Sequence, residues 1–210
     1  MSDEKRLSMP VGEAMFTQRS IRKFKPDPIP EADLRLILEA AVKAPNGGNR
    51  QVGRFLVVTD RKKIHDEFGP LYHEAWWAKR RDEGHTWTTR DQIPADDKNH
   101  RAAAQLADEI KDAPAVVFAL AANNGPANSV IPACQNLMLA ARTLGIGSLP
   151  TTLHPTVMDR FRKMFDVPAD AAFHFCIPLG YPRGSFGPNV RKPISETCFL
   201  GRWGTPVPWK

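Results

Sequence analysis

The sequence predicts a single α+β domain, and three observations support this prediction. Apolar segments of strand length lie at 54–59, 115–121 and 172–179. Segments with apolar residues at helical spacing separate them. Their order lacks the regular strand–helix–strand period of a doubly wound fold, which favours α+β over α/β. Because 210 residues is an ordinary length for one domain, we predict a single domain over 1–210.

The N-terminal half is predicted to contain a series of helices and one strand. The stretch to about Gln18 is predicted to be a short helix. Residues 31–43 follow Pro30, begin with acidic residues and carry apolar residues at helical spacing, which is typical of an amphipathic helix. A loop rich in Asn and Gly then leads into the strand at 54–59. Residues 61 to about 81 have a helical pattern.

The C-terminal half contains an apolar helix at 131–144, which Gly145 is expected to end and which we expect to be buried at the centre. The middle segment at about 70–100 is variable in character, and its part from 82 to 99 is polar. The other predicted elements are helices at 101–112 and 155–165, strands at 115–121 and 172–179, and an extended tail at 181–210 without an autonomous helix.

Composition argues against several classes of protein. The net charge is +6, but basic residues are interleaved with acidic ones along the chain, which disfavours a nucleic-acid partner without removing that alternative. No apolar run is long enough to span a membrane, so we expect a cytoplasmic protein. Three separated cysteines fit neither a disulfide framework nor a zinc site and are expected to be reduced core residues.

Two familiar nucleotide-binding motifs are missing from the sequence. No Gly-x-Gly-x-x-Gly lies between a strand and a helix, and no Walker sequence ends in Gly-Lys-Ser/Thr. Dinucleotide binding of the Rossmann type and P-loop hydrolysis are therefore both disfavoured.

The first candidate binding segment contains Arg19, Ser20 and Arg22. Two guanidinium groups and a hydroxyl within four residues can bind a phosphate. The same pattern is also typical of a solvated basic turn.

The second candidate is the loop at 44–51. Its glycines allow a ligand to approach the backbone, and Asn49 and Gln51 can both donate and accept hydrogen bonds. An ordinary loop between a helix and a strand would have a similar composition.

Two further segments are candidates nearer the C-terminus. Residues 144–152 leave the buried helix through two glycines and would place backbone N–H groups and hydroxyls beside a cavity. Residues 187–193 include Arg191 and could contact an anion. Either segment could also be a plain turn.

The order of these motifs resembles the FMN-dependent nitroreductase family. The motifs are Arg-Ser-x-Arg-x-Phe from Arg19, Ala-Pro-x-x-x-Asn-x-Gln from Ala44 and Arg-x-Pro from Arg191. The likeness covers about 16–203 and is strongest at 145–204, which contains Leu-Pro-Thr-Thr-Leu-His, Ile-Pro-Leu-Gly-Tyr-Pro and Gly-Arg-Trp-Gly. No single motif is diagnostic, but the ordered set is.

The resemblance implies a central, mostly antiparallel sheet flanked by helices, in a homodimer whose C-terminal tails wrap the partner subunit. It also implies two FMN sites at the interface. The phosphate and ribityl chain would be bound by Arg19, Ser20, Arg22 and Arg191. The partner subunit would contribute Pro45, Asn46, Gly47, Asn49 and, less firmly, Gln51. The flavin ring would lie along Leu149, Pro150, Thr151 and Thr152, with one backbone N–H facing N5.

The chain departs from many relatives at two places. Val52-Gly53 stands where Pro-Trp often follows the Gln, so the local packing is expected to differ. Asn189 stands where many relatives have Lys, which leaves one fewer positive charge near the phosphate.

The activity implied is ping-pong transfer, in which NAD(P)H reduces FMN and a nitroaromatic, quinone or similar electrophile reoxidises it. No side chain is assigned a catalytic or metal-binding role, because the cofactor performs the chemistry. Aromatic residues of the middle segment, Tyr72, Trp76, Trp77 and Trp87, would line the pocket or else belong to the core. Open alternatives are a non-catalytic flavin-binding or ligand-sensing module, dehydrogenation or flavin breakdown on the same fold, and a deazaflavin in place of FMN.

Overall fold

The computed structural model describes residues 3–209, so the first two residues and the last residue of the predicted domain lie outside it. Four strands and seven α-helices form within this range. The strands are β1 Gly53–Val58, β2 Ala115–Ala121, β3 Gly147–Ser148 and β4 Ala172–Gly180. The helices are α1 Val11–Thr17, α2 Glu31–Val42, α3 Gly69–Asp82, α4 Lys98–Glu109, α5 Ile131–Thr143, α6 Met158–Met164 and α7 Ile194–Thr197.

The strands form one antiparallel sheet, as the resemblance implied, and their order in it is β1-β2-β4-β3. Strand β2 lies inside the sheet between β1 and β4, and all seven of its residues are buried. A strand covered on both faces needs apolar residues at every position, which explains its continuous apolar sequence.

The two faces of the sheet pack against different helices, because successive side chains of a strand point to opposite faces. Larger residues of β2 share a core with α3, α4 and α6, and its alanines, with one valine, share a second core with α2 and α5. The first set is Val116, Phe118 and Leu120, and the second is Ala115, Val117, Ala119 and Ala121. Helix α5 therefore lies in a buried layer, as predicted.

Three features differ from the sequence predictions. The two-residue strand β3 was not predicted. The tail is not extended throughout, because it forms the short helix α7 and then folds back so that Phe199 pairs with Pro206. Cys198 is half-buried in this tail, whereas Cys134 and Cys176 are buried, so the prediction of three core cysteines is wrong for Cys198. All three are free thiols.

No helix in the described range combines the length and apolar character that crossing a membrane requires.

The segment that follows α1 is attached to the edge of the sheet at β3. Ser20 and Ser148 form a parallel bridge, and the Ile21 amide donates to the Ser148 carbonyl at 3.2 Å. Gly147 allows this approach, because a Cβ there would lie 2.7 Å from the Cβ of Ile21. The close contact fixes where the residues on either side of Ile21 emerge.

We expect Gly147→Ala to lower the free energy of unfolding by about 1–3 kcal/mol, because the added methyl overlaps Ile21 in a packed region. Urea denaturation measures the change. Gly12→Ala is the control, since a Cβ at that position meets nothing within 4 Å and alanine suits a helix better than glycine. Equal stability of Gly147→Ala and the unaltered protein would contradict the close approach.

Candidate functional site

Two of the predicted binding segments lie side by side at the β3 edge. Ser20 is bridged to Ser148, and Thr151 exchanges both backbone hydrogen bonds with Cys176 of β4, at 2.8 and 2.7 Å. Both segments are therefore fixed to the sheet by their backbones. The structure brings together the arginine segment and the segment 149–152, which are more than a hundred residues apart in sequence.

The 149–152 segment has one buried anchor and a partly open side. Leu149 is only 4% exposed and belongs to the core, whereas Pro150 and Thr152 are exposed and Thr151 is half-buried. A backbone held in place beside an accessible surface is suited to binding a flat ligand.

The arginines in this region lack carboxylate partners. Among residues 3–209, neither Arg19 nor Arg22 forms an ion pair. Arg19 is exposed and Arg22 is half-buried. Burial lowers the pKa of Arg22, nearby Tyr72 raises it, and the charge of Arg19 lowers it. Two neighbouring cations without acidic partners favour an anion as the ligand.

The tail runs alongside the same segment. The Asn189 side chain donates to the Gln18 carbonyl at 2.7 Å, and its backbone amide donates to the Phe16 carbonyl at 3.1 Å. A guanidinium nitrogen of Arg19 lies 3.8 Å from where a Cβ on Gly187 would be. Asn189 therefore holds the tail against the residues that precede Arg19.

Arg191 is two residues further along and is exposed. Its Nη1 donates to the neighbouring Val190 carbonyl at 2.9 Å. The structure thus brings the backbone of the tail to the arginine segment, and the side chain of Arg191 remains turned toward its own backbone.

Sequence reasoning missed the role of Tyr72, which lies on α3. Its hydroxyl shares a hydrogen bond of 2.9 Å with the Thr151 hydroxyl. Tyr72 is 2% exposed, and burial raises the pKa of its phenol. A Tyr rather than a Phe in a core position indicates a hydrogen-bond partner for its hydroxyl. The sequence could not identify that partner, because Thr151 is 79 residues away.

The other aromatic residues of the middle segment belong to the core. Trp76 and Trp77 are buried and pack edge to face, with ring centroids 4.6 Å apart. Trp87 is half-buried and packs against the same core. Trp76 and Trp77 are therefore core residues, and Trp87 lies at the border of the same core.

The loop at 46–51 is held in an unusual backbone conformation. Gly48, Asn49 and Gln51 have φ angles of 59°, 52° and 50°. This left-handed region is easy for Gly, tolerated by Asn and uncommon for Gln. The Asn46 side chain accepts a 2.7 Å hydrogen bond from the Gln51 amide, which helps to stabilise the turn.

This loop opens onto a different part of the surface. The Gly47 amide donates to the Ser129 hydroxyl at 3.2 Å, and Asn46 and Gln51 line a groove with Ser129 and Phe55. No hydrogen bond joins the loop to the arginine segment or to 149–152 within the described part of the chain. Pro45 and Asn49 are exposed here as well.

The sheet separates the two groups of candidate residues. The loop leads into β1, whose Gly53 lies beside Ala121, whereas Thr151 lies beside Cys176, which pairs with Phe118. The loop and the 149–152 segment therefore lie at opposite edges of the sheet. Three residues of strand rise by about 10 Å and three strand spacings span about 14 Å, so the loop and Thr151 are about 17 Å apart.

Comparisons with known proteins identify a family and several relatives. A model of the nitroreductase family matches residues 16–181. The chain is 30% identical to an NADH dehydrogenase of Thermus thermophilus, over 87% of this chain and 92% of that protein. It is also 30% identical to a 5,6-dimethylbenzimidazole synthase of Rhodospirillum rubrum, over 90% of this chain and 87% of that protein.

A solved structure has the same fold. The FMN-dependent nitroreductase NfnB of Mycobacterium smegmatis, in complex with NADPH, superposes with a TM-score of 0.71 at 24% identity, covering 93% of this chain and 100% of that chain. The nitroreductase-like fold expected from the sequence is confirmed.

We expect Tyr72→Phe to lower the free energy of unfolding by about 0.5–1.5 kcal/mol, because it removes one buried hydrogen bond and keeps the ring. Tyr181→Phe is the control, since the Tyr181 hydroxyl forms no hydrogen bond within residues 3–209, and its effect should stay within about 0.5 kcal/mol. Denaturation at neutral pH compares the variants, and equal effects would contradict a structural role for the bond.

The same substitution should change the dependence of stability on pH. Burial raises the pKa of Tyr72 in the folded protein. The contribution of its neutral phenol to the free energy of unfolding is therefore fully present below about pH 10, the pKa of an unfolded tyrosine. That contribution is lost as pH rises toward the folded pKa. Tyr72→Phe should therefore lose less stability than the unaltered protein above about pH 10.

Proposed function

The chain belongs to the nitroreductase family, and from this membership we propose that it is an FMN-dependent oxidoreductase acting as a homodimer. The observation that carries the proposal is the pair Arg19 and Arg22, two neighbouring cations without carboxylate partners, beside a backbone segment fixed to the sheet. This arrangement is suited to a ligand with a phosphate at one end and a flat ring at the other.

The phosphate end of FMN would be bound by Arg19, Ser20 and Arg22. Guanidinium groups pair with phosphate through two parallel hydrogen bonds, and the Ser20 hydroxyl adds another donor. Arg191 can join them by turning away from Val190, because Asn189 holds the tail nearby.

The flavin ring would lie along residues 149–152. Pro150 has no N–H, and the amide of Thr151 is bonded to Cys176. Leu149 is buried. These constraints favour the amide of Thr152 as the donor that faces N5.

The other half of each site would come from the partner subunit, through Pro45, Asn46, Gly47, Asn49 and Gln51. The separation of about 17 Å between the loop and Thr151 within one subunit supports this arrangement. Exposed apolar residues supply a surface for association: Phe16 is 76% exposed and Trp203 is 91% exposed. Such residues at the end of α1 and in the tail favour a tail that packs on the partner subunit.

When bound, FMN would supply hydride chemistry between NAD(P)H and a nitroaromatic, quinone or similar electrophile, and we propose ping-pong turnover. The protein's contribution is to orient the ring and to supply positive charge at the phosphate. His154 is given no catalytic role; its two ring nitrogens contact Asp82 and Thr156, each at 2.9 Å.

Anaerobic mixing with NADPH or NADH tests the activity. We expect the absorbance of oxidised flavin to be lost rapidly and to return when a quinone or a nitroaromatic compound is added. A non-catalytic flavin-binding module is the alternative, and it predicts unchanged absorbance with both dinucleotides. A protein that binds neither FMN nor a deazaflavin would refute the proposed cofactor class.

We expect Arg19→Ala combined with Arg22→Ala to weaken FMN binding by several kcal/mol, since each charge-assisted hydrogen bond contributes about 1.5–3 kcal/mol. Fluorescence titration with FMN measures the loss. Arg160→Ala is the matched control, because this exposed arginine pairs with Glu74 away from the site.

The same double variant can test whether the site is shared. A second variant, Asn46→Ala with Asn49→Ala, would damage only the loop. Neither variant alone should bind FMN tightly, but a refolded one-to-one mixture should recover about one quarter of the sites, because each mixed dimer contains one intact site. No recovery in the mixture would contradict a site built from two subunits.

A further inference from the structure

The C-terminal end of α3 presents two potential metal ligands. Helix α3 ends in a tight turn in which the His85 amide donates to the Arg80 carbonyl at 3.0 Å and the Gly84 amide donates to the Arg81 carbonyl at 2.9 Å. Gly84 has a φ of 85°, which glycine adopts readily at this position of a helix end. The turn places Glu83 and His85 on either side of Gly84.

A third potential ligand comes from the first turn of α4. The Asp97 carboxylate accepts from the His100 amide at 3.1 Å, which caps the helix, and its other oxygen lies 2.6 Å from His100 Nδ1. Because a carboxylate accepts, Nδ1 is the donor in this contact, which leaves Nε2 of the neutral imidazole as the potential metal ligand. Metal-binding histidines are commonly oriented by a carboxylate in this way.

The other two side chains are also held in position. The His85 ring stacks on Trp87 at a centroid distance of 4.0 Å and an interplanar angle of 13°, and it meets His100 edge to face at 5.2 Å. A Glu83 oxygen accepts from Arg80 at 2.9 Å, and the Arg80 side chain is only 9% exposed.

We propose that Glu83, His85 and His100 bind a first-row divalent transition metal of the Zn²⁺ class. One ligand atom from each residue lies within 4.8 Å of the others. Two imidazoles and one carboxylate form a ligand set typical of zinc sites that leave a fourth position for water. With bonds of about 2.0–2.2 Å, the three ligand atoms must move closer together when the metal binds.

This site was not accessible to sequence reasoning based on cysteine spacing. Glu83 and His85 are two residues apart, but His100 is fifteen residues further along and belongs to another helix. The ligands converge only because α3 and α4 pack together.

A bound ion would link the end of α3 to the start of α4 and so fix the intervening segment, which carries Trp87. Ligands that bind the folded state alone stabilise it. We therefore expect Zn²⁺ to raise the Tm of the protein, and we expect the effect to decrease as the solution is acidified, because protons compete with the metal for imidazole nitrogen. The inference is independent of the proposed flavin chemistry.

The test is a titration of the full-length, chelator-treated protein with Zn²⁺ in competition with a chromophoric zinc indicator. We expect one Zn²⁺ per chain, and we expect His85→Ala and His100→Ala each to weaken binding at least about tenfold. Asp97→Asn should weaken Zn²⁺ binding about tenfold or more, because His100 loses the carboxylate that orients it. Asn still caps the helix, so α4 itself should be unaffected. His65→Ala is the matched control, since this exposed histidine also contacts an aspartate, at 2.8 Å, away from the cluster.

The proposal is overturned if the unaltered protein does not bind Zn²⁺. It is also overturned if His85→Ala and His100→Ala bind Zn²⁺ as tightly as the unaltered protein. If the histidine variants fail to fold, the unaltered protein is titrated with Co²⁺. Visible absorption bands typical of nitrogen and oxygen coordination, weakened in Glu83→Gln, support the site, and a spectrum identical to Co²⁺ in buffer refutes it.

Discussion

The backbone hydrogen bond between Ile21 and Ser148 is the contact on which the candidate site depends. It joins the segment after α1 to a strand of only two residues, and the exchange between Thr151 and Cys176 fixes the chain just beyond that strand. Because these hydrogen bonds join backbone groups, they position the neighbouring side chains and leave them available to contact a ligand. Arg19, Ser20 and Thr152 therefore remain exposed, while the residues between them are fixed to the sheet.

The order of the strands then determines how the remaining ligands must be supplied. The loop at 46–51 is fixed to the start of β1, and 149–152 is fixed to the opposite edge of the sheet. Neither can move toward the other without breaking strand pairs in a buried sheet. A second copy of the chain removes this difficulty, because a two-fold axis can place the loop of one subunit beside 149–152 of the other. This placement of the two segments supports the proposed dimer.

Local patterns in the sequence predicted most of the elements, and contacts between distant residues account for what was missed. Strand β2 was readable because burial on both faces demands apolar residues throughout, and α2 because its apolar face and Pro30 define its start. Strand β3 is two residues long and exists only through its partners. The arginine segment could be recognised from its own residues, whereas the bond from Tyr72 to Thr151 required the packed structure.

The electrostatics of Arg22 connect the stability of the fold with its proposed use. The guanidinium of Arg22 is half-buried and lies near the charge of Arg19. Its pKa is lowered, mainly by burial and also by that charge. Partial desolvation of a cation without an acidic partner is unfavourable. Evolution can tolerate this cost where a ligand supplies the opposite charge, since strained or uncompensated groups concentrate at functional sites. A phosphate bound between these arginines would restore the missing interaction, so binding energy and folding energy would come from the same two side chains.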